Sequence, residues 1–148
     1  MEDLKYLKLA IKLSRKGLGF TEPNPMVGAV VVKNSKILST GYHKKFGDIH
    51  AERMALDKID ETGTILYISL EPCCHFGKTP PCTDIIIKKK VKKVVIASKD
   101  PNPIVEGKGI KILEDNGIEV VYGQLDDLNR DYNSHYFTNI EKKRPPAR

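Results

Sequence analysis

The sequence predicts a three-layer α/β/α domain: a mixed, largely parallel sheet of five strands with helices on both faces. Three observations lead there. Strand-like and helix-like segments follow one another in the order α-β-β-α-β-α-β-α-β-α, an alternation that favours a sheet covered on both sides. The strand segments are runs of Val and Ile with few polar breaks, as burial on both faces requires. The chain has 148 residues, 40% hydrophobic and 30% charged, which suits one core, since single domains usually span about 100–200 residues.

The first helix covers about Asp3 to Lys16. It sets Leu4, Leu7, Ile11 and Ser14 on one stripe, flanked by Leu9, Ala10 and Leu13, and it ends at Gly17 and Gly19. Thr21-Glu22-Pro23-Asn24-Pro25 must be a loop, because two prolines exclude a regular element. Met26 to Val32 is a buried strand, Asn34-Ser35 a turn, and Ile37 to Tyr42 the returning strand. His50 to Ile59 has helical composition, and Thr64 to Leu70 is the third strand. Thr83 to Lys90 reads as a helix, although Ile85-Ile86-Ile87 by itself reads equally as strand. Lys93 to Ser98 is the fourth strand, Gly109 to Asn116 a short helix stopped by Gly117, Ile118 to Tyr122 the fifth strand, and Asp126 to Asn139 a closing helix. In sheets of this kind sites gather where strands end and helices begin.

The formal net charge is +6, with basic clusters at Lys88-Lys89-Lys90, Lys92-Lys93 and Lys142-Lys143-Arg144. Such runs are first of all solvated surface, and a positive field also draws in a small phosphorylated substrate. No aromatic pattern interleaves with the lysines, so nucleic acid is not the expected partner. No apolar run approaches the roughly 18 residues of a membrane span. Met1 to Phe20 lacks the unbroken apolar stretch of a secretory signal. The expected location is the cytoplasm, away from membranes.

Three cysteines, Cys73, Cys74 and Cys82, fall within ten residues. An odd, tight cluster in such a chain argues for metal or catalytic chemistry and against a disulfide framework. With His50-Ala51-Glu52 it forms a constellation: His50, Cys73 and Cys82 make a tetrahedral zinc set with a fourth place for water, and two thiolates balance the ion's charge. His50 and Cys82 stand at helix starts, where the amino-terminal dipole favours thiolate. Zinc lowers the pKa of bound water to about 7, and Glu52 is the candidate carboxylate to accept the water's proton. Residues two apart in mid-helix point to nearly opposite sides, so Glu52 reaches the metal only if the pair begins its helix.

A His-x-Glu joined to a Pro-Cys-x-x-Cys marks zinc deaminases of nucleobases. This chain departs from that spacing, because eight residues separate Cys73 from Cys82. The stretches PNPMVGAVVV, GYH, HAE, SLEPCCHFGKTPPC and KDPNP, running from Pro23 to Pro103, resemble the deaminase half of the bacterial bifunctional riboflavin-synthesis enzymes, the diaminohydroxyphosphoribosylaminopyrimidine deaminases. The resemblance implies a cytidine deaminase-like fold, one domain over residues 1–148 of the CMP/dCMP type, and a phosphorylated pyrimidine substrate, 2,5-diamino-6-ribosylamino-pyrimidinone 5′-phosphate. It implies zinc on His50, Cys73 and Cys82, with Glu52 moving protons. It places Asn24, His43, His75, Lys78, Thr79, Asp100 and Asn102 as substrate contacts, chemistry that suits phosphate (Lys78, Thr79) and ring or ribose. It also implies a homo-oligomer. No dinucleotide-binding unit is visible, so the reductase that accompanies the family is expected as a separate protein or a missing domain.

Other readings stay open on the residues alone. Cys73, Cys74, His75 and Cys82 could form a closed structural zinc site, which leaves His50-Ala51-Glu52 unexplained; otherwise Cys74 is a small packed residue. Asn24 and Asn102 each lie in a Pro-Asn-Pro triplet, which is also plain turn chemistry. Gly107-x-Gly109 is a weak phosphate signal and reads better as a loop before a helix. His135, among Tyr132, Tyr136 and Phe137, reads as packing or a subunit contact. A deaminase of another base (guanine, cytidine or a tRNA adenosine) and a zinc-stabilised binding module are the competing functions.

Overall fold

A computed structural model describes residues 2–17, 26–43, 50–72, 82–100 and 106–133. Helix α1 (Glu2–Ser14) passes through a 3₁₀ turn (Arg15–Gly17), and strands β1 (Gly28–Lys33) and β2 (Lys36–Tyr42) follow. Next come α2 (Ala51–Asp57), β3 (Ile65–Leu70), α3 (Cys82–Lys88), β4 (Lys93–Ser98), α4 (Lys108–Asp115), β5 (Glu119–Tyr122) and α5 (Asp126–Tyr132). This is the expected order, and Ile85-Ile86-Ile87 resolves as helix. The expected closing helix is described only to Tyr132; His135, Tyr136 and Phe137 lie outside the described residues.

The five strands lie in the order β2-β1-β3-β4-β5. The sheet is mixed, but not largely parallel: β1 is antiparallel to both β2 and β3, and only β3–β4 and β4–β5 are parallel. The turn at Asn34 and Ser35, with φ of 53° and 61°, is the two-residue left-handed type whose twist suits a tight hairpin. Strand β3 then runs in the same direction as β2 but lands beyond β1, so its neighbour is the strand that runs the other way. A linear order of elements does not disclose which side of a hairpin the next strand takes.

Alternation along the strands divides the core. Ala29, Val31, Leu66, Ile68, Val94 and Ile96 face α2, α3 and α4. Val30, Val32, Tyr67, Val95 and Ala97 face α1, with Leu125, Leu128 and Tyr132 from the α5 side packed against them. Each fully buried Val, Leu or Ile contributes about 1.5–3 kcal/mol, so these two layers are the main stabilising term.

The stripe expected on α1 needs one correction. Leu7, Ala10, Ile11 and Ser14 are buried, but Leu4 is 42% exposed and Tyr6 is inside. Asp3 takes the sheet-facing place in the first turn, where it accepts a hydrogen bond from Tyr67 Oη at 2.7 Å and one from Lys93 Nζ at 2.9 Å. Leu4, about 100° further round the helix, turns to solvent. Tyr6 packs its ring 5.2 Å from that of Tyr67.

Register brings several chain ends to one edge of the sheet. Gly28 pairs with Tyr42, Ala29 with Ile68 and Leu70 with Ser98. The start of β1 and the ends of β2, β3 and β4 therefore share that edge, as expected from the strand-end rule.

Candidate metal and catalytic centre

His50 is the N-cap of α2, with extended backbone (φ −74°, ψ 159°). Its carbonyl accepts the first helical hydrogen bond, from Met54 N–H at 2.9 Å. Glu52 is therefore the second helical residue, before the side chains have fanned apart. This is the arrangement that the His-x-Glu spacing required. Cys82 is the first residue of α3.

The two helix starts converge. His50 Nδ1 lies 3.1 Å from Cys82 Sγ. One ligand atom from each of His50, Glu52 and Cys82 falls within a mutual 4.8 Å. Glu52 and Cys82 are 3% and 2% exposed, while His50 is open to solvent. A buried carboxylate and a buried sulfur beside an imidazole, at two positive helix ends, form a cluster that stabilises anionic ligands.

Close backbone approach makes this convergence possible. A Cβ on Gly41 would stand 2.3 Å from the carbonyl oxygen of Ala51, so glycine at the end of β2 lets the start of α2 lie directly on the sheet. The next residue but one is His43, buried and bonded by its N–H to Val27 C=O at 2.9 Å. Its ring stands edge-on to that of His50, with centroids 5.5 Å apart and planes at 87°. Its neighbour His50 thus places His43 at the centre.

The donor set fits zinc. Tetrahedral bonds of about 2.0–2.1 Å to nitrogen and 2.3 Å to sulfur set two ligand atoms roughly 3.6 Å apart. The observed 3.1 Å needs only a slight widening to admit the ion. Cys73, the expected third ligand, lies outside the described residues, as do Asn24, Cys74, His75, Lys78, Thr79 and Asn102.

Asp100 is buried just past β4, at the same edge, and its backbone leads to a residue that sequence reasoning passed over. Glu71, at the end of β3, takes the Asp100 N–H at 3.2 Å on Oε1. It also accepts N–H groups from Gly107, Gly109 and Ile110. Burial is the larger influence and holds its pKa above the ordinary 4.5, while the four backbone N–H groups pull it back. The Gly-x-Gly thus serves an internal carboxylate. A glutamate ending a strand, opposite a helix that starts on glycines and carries no side-chain cap, was the available signal.

Residues 1–98 match the cytidine and deoxycytidylate deaminase zinc-binding region. Over 147 residues the chain is 48% identical to the diaminohydroxyphosphoribosylamino-pyrimidine deaminase of Buchnera aphidicola subsp. Schizaphis graminum, covering 98% of this chain and 100% of that protein. It is 52% identical over 145 residues to the riboflavin biosynthesis protein RibD of Aquifex aeolicus, covering 97% of this chain and 41% of that protein. The crystal structure of the diaminohydroxyphosphoribosylaminopyrimidine deaminase/5-amino-6-(5-phosphoribosylamino)uracil reductase of Thermotoga maritima superposes with a TM-score of 0.91 at 46% identity, over 97% of this chain and 42% of that one. The cytidine deaminase-like fold expected from the motifs is thereby borne out. The chain spans about two-fifths of the length of these RibD-type relatives.

Proposed function

The chain belongs to the zinc-binding cytidine and deoxycytidylate deaminase family, and from that membership we propose that it hydrolyses the exocyclic amine of 2,5-diamino-6-ribosylamino-4(3H)-pyrimidinone 5′-phosphate. The products are 5-amino-6-ribosylaminouracil 5′-phosphate and ammonia. The observation that carries the reading is the meeting of His50 Nδ1 and Cys82 Sγ at 3.1 Å, with Glu52 buried beside them.

His50, Cys73 and Cys82 hold the ion, which when bound supplies the Lewis acidity that makes water a nucleophile near neutral pH. The Glu52 carboxylate accepts the proton of the attacking water. It delivers that proton to the ring nitrogen, where it stays as the product's N–H, and passes the second proton, from the added hydroxyl, to the departing amine, so that one water is consumed, a carbonyl forms and one ammonia leaves. Burial of Glu52 keeps the proton in the site, and the start of α2 fixes its reach. Lys78 and Thr79 take the phosphate; Asn24, His43, His75, Asp100 and Asn102 hold ribose and ring.

The uracil product is of the kind named in the reductase half of the Thermotoga protein, so a reductase, on a separate chain or a further domain, consumes it. No described helix is long and apolar enough to cross a membrane. Assembly into a homo-oligomer completes the reading.

The test is metal content together with ammonia release. We expect about one zinc per chain and turnover of the pyrimidine phosphate, with little from cytidine, dCMP, guanine or tRNA. Turnover of one of those instead, with none of the pyrimidine phosphate, refutes the substrate. Metal-free protein with full activity refutes the mechanism.

A further inference from the structure

Glu71 continues the β3–β4 ladder by donating its backbone N–H to Ser98 C=O at 2.9 Å. Its side chain, 3% exposed, reaches across to a different part of the chain. Oε1 accepts from Asp100 N–H at 3.2 Å and Gly107 N–H at 3.0 Å. Oε2 accepts from Gly109 N–H at 3.0 Å and Ile110 N–H at 3.3 Å. A carboxylate has about four lone-pair sites, and here all are used on backbone.

This is more than a helix cap. The first N–H groups of a helix are normally met by a local Ser, Thr, Asp or Asn. Helix α4 has Gly107 at its N-cap, in left-handed backbone (φ 77°) with no side-chain cap. Its acceptor comes instead from a strand end 38 residues earlier. The same oxygen that takes Gly107 also takes Asp100, so the two ends of the stretch between them are drawn to one atom. Contact is close as well: a Cβ on Gly109 would stand 2.4 Å from the carbonyl oxygen of Pro72.

We propose that Glu71 is a positioning residue for substrate binding: it fixes the backbone at Asp100 against the end of β3, and so sets how tightly substrate is held. The proposal rests on Asp100 as a substrate contact in the reading above. It leaves the proton chemistry to Glu52.

Glu71→Gln replaces one acceptor oxygen by an NH₂ group that faces N–H donors, so half of the bonds are lost. The zinc-loaded variant should show amide exchange faster by about tenfold or more, the equivalent of one lost hydrogen bond, at the pair that faces the new NH₂ group, Asp100 and Gly107 or Gly109 and Ile110, with Val95 and Ile96 in β4 unchanged. KM should rise by about tenfold, with kcat per bound zinc within about threefold, because the loss falls on binding. Gly109→Ala, which drives α4 off Pro72 with Glu71 intact, should raise KM in the same direction and serves if Glu71→Gln folds poorly. An unchanged KM in both variants, or exchange that rises evenly through the sheet, overturns the proposal and leaves Glu71 a fold-supporting residue. If wild-type protein deaminates a different base, the substrate reading fails separately, and KM for that base decides the role of Glu71.

Discussion

Asn133 holds Met26 by both backbone groups: its Oδ1 accepts the Met26 N–H at 2.7 Å and its Nδ2 donates to the Met26 C=O at 3.0 Å, across 107 positions of sequence. Met26 is the first described residue after the Pro-Asn-Pro triplet, so the end of α5 anchors the entry to β1. Both partners are nearly buried. Asn133→Ala leaves a donor and an acceptor in the interior and should cost about 2–4 kcal/mol by urea unfolding. Asn116→Ala, which removes an exposed bond to Ile112 C=O, should cost about 0.5 kcal/mol. Equal losses at the two positions would mean that the buried pair has no special weight.

Asp3 and Lys93 join α1 to β4 at 2.9 Å, and their titration makes this tie pH-dependent. Burial alone would raise the Asp3 carboxyl, but hydrogen bonds from Lys93 and Tyr67 outweigh it and hold its pKa below the ordinary 3.8. The Asp3 hydrogen bond raises Lys93 above the ordinary 10.5, against a smaller opposing effect of burial. A depressed carboxylate contributes stability that is present above its unfolded pKa and lost as pH falls through the folded one. A raised lysine contributes stability that is present below its unfolded pKa and lost as pH rises through the folded one. The pair therefore acts between about pH 4 and pH 10.5. Asp3→Asn, which can still accept from Tyr67, should lose about 1 kcal/mol at pH 7, and the difference from wild type should shrink only below pH 3.8, as pH falls through the lowered folded pKa of Asp3. A deficit that persists unchanged at pH 2–3 would show that the ion pair is not its source.

What the sequence discloses follows range. Lys93–Ser98 was legible as a strand to the residue, because a run of apolar β-branched residues bounded by lysines is a local pattern. The meeting of His50, Glu52 and Cys82 was legible because their motifs, taken together, place them at helix starts. The placement of β3 beside β1 was not, since strand adjacency depends on which side the α2 crossover lands. Nor was Glu71, whose four partners lie 29 to 39 positions away and are backbone groups, marked in the sequence only by the glycines at the start of α4. Asn129 is hidden by range alone: it is fully buried and donates to Ser69 C=O at 2.7 Å and Ser98 Oγ at 3.0 Å, yet reads as one polar residue in a polar helix.

On the proposed mechanism, removing the Glu52 carboxylate should separate metal binding from chemistry. Glu52→Gln keeps the shape of the side chain and should retain zinc while ammonia release falls by about 10²–10⁴-fold. Cys82→Ser, by contrast, removes the proposed ligand sulfur, which sits 3.1 Å from His50 Nδ1, and should lose the metal itself. Metal analysis beside a steady-state ammonia assay distinguishes the two. A Glu52→Gln protein with wild-type turnover would displace this residue from the mechanism.

The site's precision should also depend on a residue that has no side chain. Gly41 lets α2 approach β2 so closely that an added methyl would lie 2.3 Å from Ala51 O and 2.9 Å from Ala55 N. Both are backbone atoms, so no rotamer change relieves the clash, and α2 must move as a body. His50 and Glu52 would move with it, whereas Cys82 belongs to α3. Overpacking of this kind costs about 1–3 kcal/mol, which the fold should survive. A displacement of about 1 Å at reacting groups can cost roughly 10²-fold in rate. Gly41→Ala should therefore weaken zinc binding and reduce ammonia release per folded chain by about tenfold or more, measured well below the melting temperature. If zinc affinity and rate stay at wild-type values while only the melting temperature drops, the contact between α2 and β2 supports the fold without setting the geometry of the centre.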